Sequence, residues 1–92
     1  MGKEIEYKDI IAFHPGGYIE ELIAYLNITQ TEFAQHVKLP TETISQIISG
    51  EASITLPMAT KLADYTGISS QTWLNLQAKY DEKISEIENA SD

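Results

Sequence analysis

Neither cysteine nor arginine occurs in this chain of 92 residues. Without cysteine there is no disulfide framework and no thiolate metal site, and the redox compartment cannot be read. Without arginine, six lysines are the only fixed cations against fourteen acids, a net charge of −8 at pH 7. Residues 1–28, 29–68 and 69–92 carry −3, −2 and −3, so no segment is basic. Such a chain has no long-range pull on phosphate and favours a basic protein partner. Long apolar runs are missing too: Ile10-Ile11-Ala12-Phe13 is far too short to cross a bilayer. Met1-Gly2-Lys3-Glu4 lacks the apolar stretch of a signal peptide, so the expected location is the cytoplasm. No serine stands in a nucleophile-elbow context, and no glycine-rich loop precedes a helix to cradle phosphate. Catalysis is therefore not expected.

What is present is an ordinary globular mixture, 42% apolar and 22% charged. A chain of this size buries roughly 60–65% of its unfolded surface, enough for one core and one domain. Residues 1–13 place Ile5, Tyr7, Ile10, Ile11 and Phe13 among charges and suit an arm, a short strand or a frayed helix equally. His14-Pro15-Gly16-Gly17 is punctuation, with proline suited to a first helical turn and the glycines weakening what passes through them. Ile19, Leu22, Ile23 and Leu26 then form an i, i+3, i+4, i+7 stripe that ends at Asn27-Ile28. Thr29-Gln30-Thr31-Glu32 matches a capping box, followed by a helix pointing Phe33, Ala34 and Val37 inward. Lys38-Leu39-Pro40 is a tight break, because proline disfavours helical angles in the residue before it. Thr41 can cap a helix burying Ile44, Ile47 and Ile48, which Gly50 stops.

Thr55 with Pro57 opens a fourth helix carrying Ala59, Leu62 and Ala63 inward, closed by Gly67. Ser69 or Ser70 caps a longer last helix bearing Trp73, Leu74, Gln77, Tyr80, Ile84 and Ile87. The reading is all-α, with an N-terminal arm over 1–13 and one domain over 14–92. Its final helix runs over about 70–88.

Residues 30–49 carry the most information. Ala34, fifth from Gln30, is small enough for the second helix to cross closely. Leu39, Ile44 and Ile47, at places ten, fifteen and eighteen, are the apolar residues that lock the two helices. This is helix-turn-helix spacing, in which the second helix enters the DNA major groove. A helical hairpin that never meets DNA has the same spacing.

His14-Pro15-Gly16, Leu39-Pro40, the run from Ile54-Thr55 to Leu62-Ala63, and above all Trp73-Leu74-Asn75-Leu76-Gln77 followed by Tyr80-Asp81 resemble HigA-type antitoxins. These belong to the Xre-like helix-turn-helix group of type II toxin–antitoxin systems. The resemblance covers residues 14–81 and implies a five-helix, lambda-repressor-like domain with a longer C-terminal helix. It also implies a homodimer that represses its own operator and neutralises a small, basic, mRNA-cleaving toxin of the RelE-like kind, without a cofactor. By that likeness Gln30 lies against the DNA backbone, and Thr41, Glu42, Thr43, Ser45 and Gln46 face bases.

Two departures matter. Lys38 stands where such proteins usually have glycine, and a left-handed conformation there costs on the order of 1 kcal/mol. The loop after the recognition helix, commonly basic, reads Gly50-Glu51-Ala52-Ser53. Gln46 can read an adenine edge and Glu42 can accept from a cytosine amino group. Only Lys38 and Lys61 are placed to meet phosphates. Four such contacts in a dimer predict an affinity loss of ~100-fold between 50 and 200 mM salt, against 10³–10⁵ for a strongly basic repressor.

His14 and His36 lie too far apart in sequence to suggest a metal site, which needs three or four converging donors. His14 is expected to cap or pack at the first helix, and His36 to face solvent. Glu20 and Glu21 point about 100° apart on a helix and make no acid–base pair. Trp73 and Leu74 are read as core. Tyr80, Ile84 and Ile87 continue the apolar stripe beyond what four short helices cover, which suggests a partner or dimer surface. The competing reading is an acidic, toxin-binding interaction module that keeps the fold and has lost DNA binding.

Overall fold

A computed structural model describes residues 4–7 and 10–90. The remaining positions of the expected arm, and the last two residues, lie outside the described residues. Two strands, β1 (Glu4–Tyr7) and β2 (Ile10–Phe13), pair antiparallel with Glu4 opposite Phe13 and Tyr7 opposite Ile10. Of the three possibilities open for this segment, a strand is the one adopted. Five helices follow: α1 (Gly16–Leu26), α2 (Gln30–Val37), α3 (Thr41–Ile48), α4 (Leu56–Thr66) and α5 (Ser70–Ala90). The five-helix body is as expected, and the hairpin adds two strands ahead of it. β2 packs along α5.

Helix ends explain the path. The capping box before α2 is complete: Glu32 N–H donates to Thr29 Oγ1, and Thr29 N–H donates to the Glu32 carboxylate. α1 ends on Asn27 in the left-handed region (φ 59°), with Ile28 N–H turned back to the Ile23 carbonyl. α3 departs from expectation. Its cap residue is Pro40, Thr41 is its first helical residue, and no side chain caps it. Ser69 rather than Ser70 caps α5, its hydroxyl accepting from Thr72 N–H at 3.1 Å.

Ile19, Phe33, Ala34, Val37, Ile44, Ile47, Ile48, Ile54, Ala59, Leu62 and Trp73 make one core. The α1 stripe enters it only in part: Ile19 is fully buried, Leu22 and Ile23 lie at its margin, and Leu26 is exposed. The glycines that were expected to weaken the chain instead begin α1 and are buried. Gly16 sits where α1 meets α3. A Cβ built there would overlap the Ile47 carbonyl oxygen and come within 2.8 Å of Ile48 Cα. The α1 start thus seats against the C-terminal end of α3.

Candidate nucleic-acid interface

α2 and α3, separated by Lys38-Leu39-Pro40, form the helix pair that the spacing predicts. Ala34 is buried at the crossing and Ile44, Ile47 and Ile48 are buried beneath α3. Burying these apolar residues leaves the opposite side of α3 facing water. Thr41, Glu42, Ser45, Gln46 and Ser49 are all exposed there. They recur at i, i+1, i+4, i+5 and i+8, a single helical face. Thr43 is half-buried at the flank of that face. The face offers hydroxyls, one amide and one carboxylate, and no cation.

The turn between the helices begins on a left-handed residue. Lys38 has φ 61°, and the Lys38 and Leu39 amides fold back to the carbonyls of Gln35 (3.3 Å) and Ala34 (3.0 Å). This closure normally takes glycine, so the lysine holds a conformation costing about 1 kcal/mol. Lys61 of α4 reaches the same turn, its ammonium donating to the Lys38 carbonyl oxygen at 3.1 Å. A cation against the carbonyl end of α2 is favourable. This bond takes one of the three Lys61 donors, and both ammonium groups stay exposed and charged at the turn.

The structure also joins two of the expected contact residues. Ser45 Oγ donates to Gln30 Oε1 at 2.7 Å, bridging the first residue of α2 to the middle of α3. Nothing in the one-dimensional pattern announces this pair, which is fifteen residues apart.

Behind the face, His14 is buried, with 2% of its surface exposed. Its Nδ1 accepts from Gly16 N–H at 2.9 Å, and its ring meets Tyr80 edge-on at 4.8 Å. It therefore both caps α1 and packs, as expected. Burial holds its pKa below the usual histidine value, outweighing a hydrogen bond with the Ala52 backbone and the nearby Asp81 charge, both of which raise it. Burial likewise raises the pKa of Tyr80, with Asp81 adding in the same direction. Gln77, 5% exposed, accepts from Ile54 N–H at 2.9 Å and donates to Asp81 at 3.0 Å. It fastens the loop that follows α3 onto α5. His36 is exposed and stacks flat on Tyr65 at 4.8 Å.

The expected partner stripe on α5 is less open than its spacing suggested. Tyr80, Ile84 and Ile87 are all half-buried, and Tyr80 leans on His14. Tyr80 also lines a groove of about 230 Å³ with Phe13, Tyr18, Leu76, Lys79 and Lys83. Phe13, Tyr18, Tyr25 and Leu26 are large apolar side chains left exposed between residues 13 and 26, Tyr25 at 87%. Sequence reasoning missed these side chains because it counted Leu26 in the α1 stripe and gave the α1 tyrosines no role. Among the described residues no helix is long and apolar enough to cross a membrane.

Comparison with known proteins agrees with this geometry. The family model described as helix-turn-helix matches residues 19–73. An uncharacterized HTH-type transcriptional regulator of Escherichia coli K12, YddM, is 37% identical over 78 residues, covering 85% of this chain and 81% of that protein. The solved structure of an addiction module antidote protein of the HigA family from Coxiella burnetii is similar at a TM-score of 0.81 and 33% identity. That match covers 85% of this chain and 86% of the other. Pseudomonas aeruginosa antitoxin HigA with the higBA promoter matches at a TM-score of 0.78 and 28% identity, over 85% and 86% of the two chains.

Proposed function

The chain belongs to the helix-turn-helix family, and from that premise we propose that it is an antitoxin and autorepressor, a dimer that binds operator DNA and neutralises a basic toxin of the RelE-like kind. The observation that carries the reading is the outward face of α3. Five polar side chains are exposed on one helical face, while three buried isoleucines fix that helix against the body. Such a face supplies direct readout: Gln46 to an adenine edge and Glu42 to a cytosine amino group. The similar HigA antitoxin solved with promoter DNA supports the same use of the fold.

For toxin binding, the support is the net charge of −8 together with the exposed apolar side chains between Phe13 and Leu26. Acidic charge speeds encounter with a cationic protein, and exposed apolar area gives it something to bury. The domain division stays as proposed, an arm over 1–13 and the helix-turn-helix domain over 14–92.

Lys38 and Lys61 are both exposed and charged at the turn, so a dimer brings four ammonium groups to phosphate, and the expected affinity loss stays at about 100-fold between 50 and 200 mM salt. The test is a fluorescence-anisotropy titration on the chain's own upstream DNA at both salt concentrations, with and without the candidate toxin. Specific binding with that shallow slope, weakened about tenfold to a hundredfold by Gln46→Ala, is expected. No binding at either salt, combined with a tight toxin complex, would replace the reading with the interaction module that has given up DNA. The acidic, arginine-free composition favours that second reading.

A further inference from the structure

Resting on the DNA-binding reading above, we propose that Ser45 is a positioning residue that aims Gln30 at the phosphate backbone. Ser45 lies on the outward face of α3, where its spacing with Glu42 and Gln46 groups it with base-contacting side chains. Its hydroxyl is already committed: the single proton of Oγ points to Gln30 Oε1 at 2.7 Å. A serine has one proton to donate, so this bond removes its donor from any base edge.

The consequence falls on Gln30. A glutamine amide has one acceptor oxygen and two N–H donors. Fixing its oxygen toward α3 turns the NH₂ group the other way and holds it there. Gln30 is the first residue of α2, so its own amide and that of Thr31 belong to the unpaired start of the helix. The capping box uses the Thr29 and Glu32 amides and leaves these two. Gln30 Nε2 and these two backbone amides are all donors of the first turn of α2, at its positive end, and together offer a neutral grip for a phosphate oxygen. A chain with only two lysines at the motif and its turn gains from a donor that is oriented before binding, since the freezing of a flexible glutamine is then already complete.

A residue acting through Gln30 has a signature that a base reader lacks. Ser45→Ala is expected to weaken operator DNA and unrelated DNA by the same factor, about threefold to tenfold, leaving their ratio unchanged. Gln30→Ala is expected to match it, and Ser45→Ala with Gln30→Ala to be no weaker than either alone. Ser45→Thr, which keeps the hydroxyl, restores binding. In the free protein, ¹⁵N relaxation of the Gln30 side-chain NH₂ reads the hydrogen bond directly: ordered in the native chain and in Ser45→Thr, mobile in Ser45→Ala. A Gln30 amide equally mobile with and without the hydroxyl overturns the proposal, whatever the DNA result. So does native binding that Ser45→Ala leaves unchanged, or changes for the operator only. A native chain that binds no DNA defeats the DNA-binding reading itself and the role of Ser45 with it, while the relaxation result stands as a separate measurement.

Discussion

Replacing Lys38 by glycine should make the domain more stable, although it deletes a side chain. Lys38 sits at φ 61°, where a Cβ crowds the backbone, and the turn holds it there with the Lys38 and Leu39 amides bonded to Gln35 and Ala34. Glycine removes a strain of about 1–2 kcal/mol and gives back part of it through its freer unfolded chain, a net gain near 1 kcal/mol. For a domain of this size that corresponds to a rise of about 4–8 °C in Tm. The neighbouring bond survives, because Lys61 donates to the main-chain oxygen of residue 38 and not to its side chain. Lys38→Ala is the control: it removes the charge and keeps the Cβ, so its Tm should stay close to native. Thermal unfolding by circular dichroism of the three proteins separates the terms. A Lys38→Gly protein no more stable than Lys38→Ala would refute the strained-turn argument. On DNA the two variants should behave alike, each lowering the salt slope of the proposed dimer by about 2.

Other outcomes follow from the packing. Gly16→Ala pushes a methyl into the Ile47 backbone, so a loss of about 3 kcal/mol or more is expected in urea unfolding. His14, with its pKa lowered by burial, binds its proton less readily folded than unfolded. Stability is therefore full above its unfolded pKa near 6.5 and declines as pH falls through the lower folded value. His14→Asn, whose Oδ1 can still accept from Gly16 N–H, should lose that part of the decline when urea midpoints at pH 7.5 and 5.5 are compared. Gln77→Ala leaves the buried Ile54 amide without its acceptor, costing about 1–3 kcal/mol and speeding hydrogen exchange at Ile54.

Helix positions were legible because their signals are local. Thr29 and Glu32 close a capping box over four residues, and Gly50 and Gly67 take the positive φ that ends a helix. Ile44, Ile47 and Ile48 share a face whatever lies around them, so the burial of α3 could be read from spacing alone. Failures came where the outcome depends on a distant element. Leu26 continues an apolar stripe, yet α1 turns its last residues away from the core and leaves Leu26 exposed. Tyr80 reads as open stripe until the chain at His14 returns to cover it. Arm residues 1–13 carry no period long enough to choose a conformation, and the pairing of Glu4–Tyr7 with Ile10–Phe13 is settled by their antiparallel register. The Ser45–Gln30 and Lys61–Lys38 bonds join residues fifteen and twenty-three apart, so only the assembled helices bring them together.

These two bonds bear on how so acidic a chain can act on DNA at all. A repressor rich in arginine tolerates loose geometry, because counterion release supplies affinity regardless of small errors in aim. Here two lysines, Lys38 and Lys61, serve the motif, and its outward face is made of hydroxyls, one amide and one carboxylate. Neutral hydrogen bonds weaken steeply with misalignment, so affinity must come from donors held in place before contact. The order of mutational effects should then be inverted relative to a basic repressor. Ser45→Ala, which changes no charge, should cost the operator complex at least as much at 200 mM salt as Lys38→Ala does. Anisotropy titrations of both variants against the native chain at that salt decide the matter. A Lys38→Ala loss several times larger than that of Ser45→Ala would mean that charge still governs binding, and that the oriented neutral donors are incidental to it.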